Sequence, residues 1–555
     1  MTKQQAINYL KDRYLSNMKE GSELFVGVEL EFPIVETNGN KTNIEVTKKL
    51  FQTLAGFPEY QIEKKDQDNN PIQLIHIPSK DRILFELSYN TIEFAFERAH
   101  SLREVAERFE SYLSVIQPIL REDNHEIQGM GIHPQWKVND NRPVKIERYK
   151  MLMAFLAMKD TEMETHGYPS YGAFICGNQV QLDVRRDNYL RIINAFNKIE
   201  AAKAYLFSNS EFTEEEWDTK IARDIFWEKS LHGYFKENVG VYPKDYKNEE
   251  EFFDNLSKTA IFTAIRDDKS YYFKPIRVEN YLDQKEIKAY TADGAEVIII
   301  PLEEDLKHHR SYQFQDLTAR GTVEFRSVCT QPLETTFAPI AFELGLFVQL
   351  KELESYLETC PFFETEEKNY QELRKKYSKK NLSEKEMKRM NLDFIIGSIH
   401  NIDGVKLRLY MQNKNKYDIY YNYFNEIYEM VKNSDIDIVG HMDLMKRYAY
   451  EIYGNYNFND YKEVIEKILK EVISREIGIE INGSGFFNKV GESYPSKEIL
   501  VLYKNLGGEI ITVGSDSHFC ESLAEYNAKM IELLKEIGFK YIFTYERRKK
   551  IPLKI

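Results

Sequence analysis

The chain has 555 residues, of which 42% are hydrophobic and 30% are charged. This length exceeds one ordinary hydrophobic core, so we expect roughly two to four domains of a globular protein. The formal net charge of −14 argues against nonspecific binding to nucleic acid or to an anionic membrane surface.

Cysteine usage and the N-terminal sequence indicate a reducing environment. Cys176, Cys329, Cys360 and Cys520 are far apart and form no CxxC pair, which fits the cytoplasm better than a disulfide framework or a zinc ribbon. The first residues lack the apolar core of a signal peptide, and no apolar run approaches the ~20 residues of a membrane-spanning helix. We therefore expect a cytoplasmic protein that does not enter a membrane.

From the N-terminus to about residue 360, strand patterns of period 2 are mixed with amphipathic helices. The two do not alternate strictly, so we expect an α+β domain with an antiparallel sheet. The predicted strands are Glu23–Ile34, Ile83–Phe96, Gly129–His133, Ala173–Val184, Val297–Leu302 and Gly321–Val328, and the predicted helices are Ser101–Arg121 and Tyr189–Leu206.

The first predicted strand carries two acidic residues on one face. In the segment GVELEF, Glu29 and Glu31 are two residues apart, so their side chains project from the same side of a strand. Neighbouring carboxylates resist joint ionisation unless a cation lies nearby. A solvated outer face would explain the pair, but the pattern favours a Mg²⁺ platform of hard oxygen ligands that holds the phosphates of ATP.

A second acidic strand follows in the segment FELSYNTIEF. Glu86 lies between apolar neighbours, and Glu93 has the opposite parity in an unbroken strand. A turn or bulge at Tyr89 and Asn90 would change that parity, so the sequence leaves the face of Glu93 open. The alternative for a single Glu here is a structural one: charged side chains are typical of edge strands, where they prevent pairing with another chain.

The order of these motifs resembles the glutamate–cysteine ligase family, particularly its plant-type and related bacterial branches. GVELEF, FELSYNTIEF and GMGIHP occur in the family's order, and the resemblance covers most of residues 20–350. Each segment alone is weak evidence, whereas their shared order is specific. The further segments that carry the resemblance are Arg148–Met151, Gly177–Leu182, Phe207–Ser210, Arg223–Trp227 and Thr322–Arg326.

The resemblance implies a curved antiparallel sheet, related to that of glutamine synthetase, with the active site on its concave face. The residues that it implies for Mg²⁺ or substrate are Glu29, Glu31, Glu86 and Glu93. Gln179, Gln181 and Glu324 would add contacts to nucleotide or substrate from neighbouring strands.

The family's chemistry assigns two arginines to the reaction. The family uses ATP and Mg²⁺ to convert a carboxylate, usually the side chain of glutamate, into an acyl phosphate, and an amine, usually that of cysteine, then attacks it. Together with Glu86, Arg223 and Arg326 would act as catalytic residues by binding phosphate or a substrate carboxylate. A surface ion pair is the alternative for each arginine. The sequence does not fix the acceptor amine.

A charged segment, 361–391, divides the chain. We expect a helical linker there, between a ligase-like catalytic domain at 1–360 and a second domain at 392–555. After it, strands and helices alternate regularly, which predicts a parallel sheet or part of a barrel. The predicted strands are Asp393–His400, Ile436–His441, Gly478–Asn482, Glu509–Asp516 and Tyr541–Thr544, and the predicted helices are Asp418–Asn433, Tyr461–Ser474, Ser496–Asn505 and Glu521–Ile537.

Histidine and aspartate recur at the ends of these strands. The segments GSIH, VGHMD and GSDSH contain His400, His441, Asp516 and His518, and the carboxyl ends of parallel strands converge at one mouth of a barrel. Imidazole and carboxylate together suit Zn²⁺, Mn²⁺ or Fe. The segment resembles the polymerase-and-histidinol-phosphatase (PHP) family, in particular its histidinol-phosphatase branch. This resemblance implies a TIM-like barrel. The barrel would be truncated, because the family's HxH strand and a further acidic ligand are not found upstream.

Three functions remain open at this point. The first is an ATP-dependent ligase that forms a γ-glutamyl amide from small amino-acid substrates. The second is a metal-dependent phosphoesterase, and the third is a non-catalytic assembly or sensor protein. For the second half, a degenerate fragment is favoured over a residual metal site, because strands and ligands of the family's barrel are missing. An incomplete barrel exposes unpaired strand edges, so we expect this fragment to pack against the first half or to form a homo-oligomer.

Overall fold

The computed structural model describes residues 3–21, 24–159, 163–267, 269–365, 368–382, 392–402, 405–411, 414–517, 522 and 524–555. The chain folds as two compact units, Met1–Leu382 and Ser383–Ile555. Each unit has its own hydrophobic core.

The first unit contains fifteen strands among its described residues. They are β1 (Val26–Glu36), β2 (Tyr60–Lys65), β3 (Pro71–His76), β4 (Arg82–Phe85), β5 (Thr91–Ala99), β6 (His125–Ile127), β7 (Gly177–Asp183), β8 (Val239–Gly240), β9 (Ala260–Arg266), β10 (Lys269–Arg277), β11 (Ile287–Thr291), β12 (Glu296–Ile299), β13 (Tyr312–Gln313), β14 (Gln315–Leu317) and β15 (Thr322–Cys329).

Nine of these strands form one large sheet in which every pair is antiparallel. Its order is β14-β15-β7-β1-β5-β4-β3-β2, and β6 pairs with the end of β1. Strands β12, β11, β10 and β9 form a second antiparallel sheet, while β8 and β13 pair in parallel. The predicted α+β class with a large antiparallel sheet is confirmed.

The helices of the first unit pack around these sheets. The α-helices are Lys3–Leu15, Ile44–Leu54, Leu102–Arg121, Glu147–Leu156, Tyr189–Lys198, Glu200–Leu206, Ala222–Glu228, Glu249–Ser257, Val278–Tyr281, Ala338–Val348, Leu350–Thr359, Phe362–Thr365 and Tyr370–Tyr377, and the 3₁₀ helices are Tyr171–Ala173, Leu231–Gly233, Glu303–His308 and Leu333–Thr335.

Alternation along β1 separates the core from the opposite face of the large sheet. Val26, Val28, Leu30 and Phe32 are at most 1% exposed and belong to the core. Helix Leu102–Arg121 packs on this side through an apolar stripe at helical spacing. The residues between the apolar positions of β1 therefore project to the other face, where they are free to bind a ligand.

Helix starts follow the side chains that cap them. Ser101 accepts a hydrogen bond from the backbone N–H of Glu104, so helix Leu102–Arg121 begins where the sequence predicts. The helix predicted over Tyr189–Leu206 is two helices, separated at Ile199. The first strand extends over Val26–Glu36, and the predicted position Glu23 lies outside the described residues.

The predicted strand Gly129–His133 is wrong. Only Ile132 makes a bridge, to Ile175, and the segment runs as a loop against other backbone. A Cβ atom on Gly129 would lie 2.3 Å from the carbonyl oxygen of Gln331, so only glycine permits this approach. Close backbone packing, rather than sheet pairing, explains the glycines here.

The segment predicted as a charged linker contains a helix, Tyr370–Tyr377, that belongs to the first unit. Tyr370, Leu373, Arg374 and Tyr377 of helix Tyr370–Tyr377 are buried there. Its apolar and aromatic residues recur at helical spacing, and this periodicity is masked by the high charge of the segment. Residues 383–391 of the predicted linker lie outside the described residues.

The second unit is an α/β layer structure. Its strands are β16 (Ile396–Gly397), β17 (Asn401–Ile402), β18 (Val405–Lys406), β19 (Ile438–Val439), β20 (Gly478–Asn482), β21 (Ile511–Gly514), β22 (Tyr541–Glu546) and β23 (Lys549–Lys554), and its helices are Leu407–Tyr410, Lys416–Asn433, Met445–Tyr453, Phe458–Ser474, the 3₁₀ helix Gly483–Phe487, Lys497–Asn505 and Asn527–Ile537.

Four strands of the second unit form the predicted parallel sheet, in the order β16-β19-β20-β21. The regular alternation of strands and helices in the sequence therefore predicts this sheet correctly. The predicted fifth strand exists as β22, but it pairs antiparallel with β23 and not with β21. Because a short turn joins β22 to β23, a hairpin is the local outcome.

The apolar helices of the chain are short. Within the described ranges, no single helix is long and apolar enough to cross a membrane. The bent pair Leu333–Val348 and Leu350–Thr359, at 88°, meets the length and composition requirements only when both members are counted together.

Candidate active site

A strip of acidic and amide side chains crosses one face of the large sheet. Glu31 lies directly opposite Glu93 of β5, and Glu29 lies opposite Gln179 of β7. Since Glu29 and Glu31 are two residues apart on β1, all four side chains point to the same side. The structure places this pair on one face, as its spacing predicts.

The strip continues across β7 to β15. Gln181, two residues after Gln179, lies opposite Glu324. The Nε2 atom of Gln181 donates to Oε1 of Glu29 at 3.1 Å, and that of Gln179 donates to Oε1 of Glu31 at 3.1 Å. The two amides therefore fix the orientation of the two carboxylates on β1.

The hairpin between β4 and β5 decides the face of Glu86. Leu84 lies opposite Glu93, and Phe85 lies opposite Ile92. Even-numbered residues of β4 therefore share a face with odd-numbered residues of β5. Glu86, two residues after Leu84, therefore joins Glu93 on the acidic face. The backbone leaves the strand at Leu87, whose φ is +58°. The alternative that the sequence left open is resolved by a tight turn.

The crowding of these acids raises their proton affinity. Burial, with the charge of Glu86, raises the pKa of Glu31 to about 7. Burial, with the charge of Glu324, raises the pKa of Glu29 to about 7. Burial and the charge of Glu86 also raise the pKa of Glu93 well above its ordinary value. The strip therefore holds more negative charge than the surrounding protein neutralises.

Arginines surround the strip on two sides. Arg326, on β15, forms an ion pair with Glu324, and Arg310 lies 3.7 Å from the same carboxylate. Arg320 donates to Oε1 of Gln181 at 2.6 Å. On the other side, Arg223 of helix Ala222–Glu228 is buried and donates from Nη1 to the carbonyl oxygen of Val328 at 2.9 Å.

Burial acts against the ionisation of Glu324, but the charges of Arg326 and Arg310 outweigh it and lower the pKa of this carboxyl. The Nε atoms of Arg223 and Arg326 are buried and have no hydrogen-bond partner among the described residues. Guanidinium groups with such free donors are suited to a phosphate or a carboxylate.

These groups line one cleft. Its walls include Glu31, Glu86, Gln179, Arg223 and Arg326, five of the residues predicted from sequence. Glu29, Glu93, Gln181 and Glu324 stand on the same face, beside these residues in the register given above. Sequence reasoning missed the other polar residues of the cleft, which are Arg148, Tyr149, Tyr171, Asp224, Trp227, His232, Arg310, Tyr312 and Ser327.

Some of these residues could have been found from the sequence, and others could not. Tyr149 donates to Oε2 of Glu86 at 3.1 Å, and with Arg148 it lies in a segment that the motif comparison had already singled out. Arg310 and His232 lie outside the strands that carry the motifs, so no spacing in the sequence links them to the acids. Only the tertiary structure brings them to the cleft.

Gly177 has no side chain because the site leaves no space for one. A Cβ atom there would lie 2.5 Å from Nη2 of Arg223 and 3.4 Å from Oε2 of Glu31. The backbone N–H of Gly177 also donates to Oε2 of Glu31 at 2.5 Å. Gly177 therefore allows the arginine and the carboxylate to approach one another.

We expect Gly177→Ala to lower catalytic activity by about 10- to 100-fold, because it displaces Arg223 from the cleft. Assay of turnover together with the melting temperature checks this. Gly167→Ala is the control, since a Cβ atom there meets nothing within 4 Å. Equal activity of the two variants would contradict the role assigned to Gly177.

The raised pKa of Glu29 predicts a pH-dependent stability. Its folded pKa, about 7, exceeds the ordinary value of 4.5, so the folded state binds the proton more tightly. The stability contributed by this proton is complete below pH 4.5 and is lost as the pH rises through 7. The difference in free energy of unfolding between Glu29→Gln and the native protein should therefore depend on pH. We expect this difference to favour the variant by about 1–3 kcal/mol more at pH 8 than at pH 4.5. Urea unfolding at both pH values measures this, and a pH-independent difference would contradict it.

The second unit collects a smaller set of polar residues at the ends of its parallel strands. His400 follows β16 and His441 follows β19, and their rings lie 5.1 Å apart with an interplanar angle of 81°. Burial, with the nearby ring of His400, lowers the pKa of His441 to about 4. The predicted ligand His518 lies outside the described residues.

Asp516 and Glu480 complete this set. Asp516 accepts a hydrogen bond from Nη2 of Arg447 at 3.2 Å. Glu480, on β20, was missed by the sequence analysis; its Oε2 accepts from the backbone N–H of His441 at 3.0 Å. His441 and Asp516 have φ values of +26° and +46°, a strained conformation of the kind that functional sites hold.

Neither unit carries a complete set of protein ligands for a metal ion among its described residues. Among the described residues, no three His, Cys, Asp or Glu side chains are grouped so that they would hold one metal ion unaided. Mg²⁺ in nucleotide sites is commonly bound by one or two carboxylates together with substrate phosphates. The carboxylates of the large sheet fit that mode of binding, because their oxygens are hard donors and their charge is under-neutralised.

Comparison with known proteins matches residues 25–390 to the glutamate-cysteine ligase family 2 and residues 340–484 to the PHP domain. A probable histidinol-phosphatase of Clostridium acetobutylicum is 30% identical over 161 residues, which are 28% of this chain and 63% of that protein. The chain spans 60–64% of the length of three histidinol-phosphatases that it matches.

Two solved structures are also similar. The histidinol phosphate phosphatase of Lactococcus lactis, solved with zinc, L-histidinol and phosphate, is 28% identical; the match covers 29% of this chain and 62% of that chain, with a TM-score of 0.27. The glutamate–cysteine ligase of Francisella tularensis, solved with AMP, is 12% identical; the match covers 83% of this chain and 95% of that chain, with a TM-score of 0.34.

Proposed function

This chain belongs to the glutamate-cysteine ligase family 2, and we propose that it is an ATP- and Mg²⁺-dependent ligase that joins the side-chain carboxylate of glutamate to an amine. The observation that carries the proposal is the convergence of Glu29, Glu31, Glu86 and Glu93 with Arg223 and Arg326 on one sheet face. Acids for a cation and arginines for phosphate are the parts that phosphoryl transfer needs.

The reaction has two steps. An oxygen of the glutamate side chain attacks the γ-phosphorus of ATP, so that ADP leaves and an acyl phosphate forms. The neutral amine then attacks the acyl carbon, inorganic phosphate leaves, and the nitrogen loses a proton as the amide forms. Because ATP converts a poor electrophile into an activated one, the protein's part is to align the groups and to balance their charge.

The residues divide this work. Glu29, Glu31, Glu86 and Glu93 would hold Mg²⁺, which neutralises charge on the phosphates when it is bound. Arg326 and Arg223 bind the transferred phosphoryl group or the substrate carboxylate through their free N–H donors. Gln179 and Gln181 orient the carboxylates of Glu31 and Glu29 through the hydrogen bonds described above.

Acceptor-dependent release of ADP tests the proposal. The full-length protein is incubated with glutamate, ATP, Mg²⁺ and one amine at a time, with cysteine first in the panel, and products are identified by mass spectrometry. We expect ADP to appear only with an amine present and the product to have the mass of a γ-glutamyl amide. No acceptor-dependent ADP across the panel would overturn the proposal.

The second unit supports a second candidate function, a metal-dependent phosphoesterase. The observation that favours it is the approach of His400 and His441, whose ring centroids lie 5.1 Å apart at the ends of β16 and β19. The charge of Asp516, after β21, acts on both histidines, and His441 and Asp516 have positive φ values. These residues would supply part of the ligand set of Zn²⁺, Mn²⁺ or Fe, with substrate phosphate or water filling the other positions, and the chemistry of such a metal is activation of water for hydrolysis.

Hydrolysis of histidinol phosphate in the presence of Zn²⁺ or Mn²⁺ tests this second candidate, with His441→Ala as the variant. We expect phosphate release that the variant abolishes while ligase activity is retained. Phosphate release equal to that of a protein-free control, with every metal tested, would exclude the phosphoesterase and leave the ligase proposal unaffected.

A further inference from the structure

One buried group in the cleft is not used by the mechanism above. His232 lies in the 3₁₀ helix Leu231–Gly233, lines the cleft and is only 2% exposed. Its Nε2 atom is buried and has no hydrogen-bond partner among the described residues. A buried polar atom without a partner is costly, so its presence beside a cleft indicates that a ligand completes the bond.

The hydrogen-bond contacts around His232 favour one position for the proton of its ring. Ser230 has one hydroxyl proton, and it donates that proton to the carbonyl oxygen of Trp227 at 3.0 Å. In the contact of 3.2 Å between Tyr171 and Ser230, the tyrosine is then the donor. All three contacts are hydrogen bonds at the same time when Nδ1 of His232 carries the proton and donates to the hydroxyl oxygen of Tyr171 at 2.7 Å, and we assign this tautomer.

It follows that Nε2 is an unprotonated acceptor. Burial, with the positive charges of Arg310 and Arg326, lowers the pKa of His232 to about 3, so the ring stays neutral. The cleft therefore offers a hydrogen-bond acceptor at this point, and a ligand must bring the donor.

The surroundings limit the size of the group that can reach Nε2. Aromatic rings pack around the imidazole, with centroids at 4.4 Å for Tyr312, 4.9 Å for Trp227, 5.6 Å for Phe262 and 5.7 Å for Phe155. Leu152 and Leu156 also line the cleft and add apolar surface to it. A short apolar side chain that ends in one donor fits this environment, whereas a purine ring would have to displace the protein's own aromatic rings.

We propose that His232 is a specificity-determining residue of the ligase, and that its Nε2 accepts a hydrogen bond from a hydroxyl or thiol at the end of a small acceptor amine's side chain. This inference rests on the proposed function. It predicts preference for an acceptor with a donor over an isostere that carries a methyl group in the same place, because the isostere leaves Nε2 unpaired.

The test measures kcat/KM for isosteric pairs of acceptor amines. Serine and cysteine are each compared with 2-aminobutyrate, and threonine is compared with valine. We expect the native protein to prefer the donor-bearing member by about 10- to 100-fold. In His232→Phe, which keeps an aromatic ring, the ratio should fall to about one through loss of kcat/KM for the donor-bearing member. The KM for ATP should stay unchanged.

His166→Phe is the matched control. This histidine lies in the same aromatic cluster, but its Nε2 already contacts the carbonyl oxygen of Phe226 at 2.9 Å and it does not line the cleft. The control should keep the full preference. His232→Leu, which like phenylalanine offers no acceptor, provides a second variant if His232→Phe has a lowered melting temperature.

Three outcomes would overturn the inference about His232 and leave the proposed function standing. They are a native ratio near one, an unchanged ratio in both His232 variants, or a change confined to the KM for ATP, which would assign Nε2 to the nucleotide. Absence of acceptor-dependent ADP with every amine would instead remove the proposed function, and this inference with it.

Discussion

Replacing Glu31 with Gln should lower ligase turnover by about 10²- to 10³-fold while the protein stays folded. Glu31 stands at the centre of the strip, directly opposite Glu93 and hydrogen-bonded to Gly177 and Gln179. The amide cannot carry the negative charge that binds a divalent cation, so alignment of the phosphates is lost. Initial rates of ADP release at saturating substrates measure the effect.

Stability is expected to change little in this variant. The amide loses one hydrogen bond to the backbone of Gly177, but it also removes the repulsion that raises the pKa of Glu31 to about 7. Glu97→Gln is the matched control, since Glu97 lies on β5 but is exposed. Retention of full turnover in Glu31→Gln, or an equal loss in Glu97→Gln, would contradict the assignment of the acidic strip as the active site.

Replacing Arg374 with Ala should lower the free energy of unfolding by about 3–5 kcal/mol. The guanidinium is 1% exposed and donates to Oε2 of Glu200 at 2.5 Å, to Asp224 at 2.7 and 3.1 Å, and to the carbonyl oxygen of Ser327 at 2.9 Å. Its removal leaves the carboxylate of Asp224 without its cation and leaves Glu200 paired with Lys203 alone in the interior. Urea unfolding monitored by circular dichroism measures the loss.

Activity should fall in the same variant. Asp224 and Ser327 both line the cleft, next in sequence to Arg223 and Arg326, so Arg374 acts as a positioning residue for both arginines. Lys375→Ala is the matched control: it removes a cation from the same helix, but its side chain is 48% exposed and its ion pairs are worth about 0–1 kcal/mol. A loss below about 1 kcal/mol in Arg374→Ala would show that the buried cluster does not hold the helix in place.

The sequence predicted much of the first sheet because the relevant information is local. Alternation of apolar and polar residues along β1 determines which side chains enter the core, and so places Glu29 and Glu31 together on the opposite face. The strand Gly478–Asn482 and the helix that begins at Ser101 follow from the same kind of short-range pattern. These elements need no knowledge of distant residues.

Charge patterns were less informative than apolar periodicity. The segment after residue 360 has so many charged residues that it predicts an exposed linker, yet Arg374 lies at the centre of a buried ion cluster. A buried arginine and an exposed one look alike in a sequence, because burial depends on whether distant carboxylates are in place to receive the charge.

By itself, therefore, the sequence determined the class of the fold, the acidic face of β1 and the family to which the chain belongs. Only the tertiary structure decided that Glu86 and Glu93 share that face, since the tight turn after β4 sets their register. It also brought Arg310 and His232 to the same cleft. These positions depend on contacts between residues far apart in the chain, and such contacts form only when the backbone folds and water is excluded from the site.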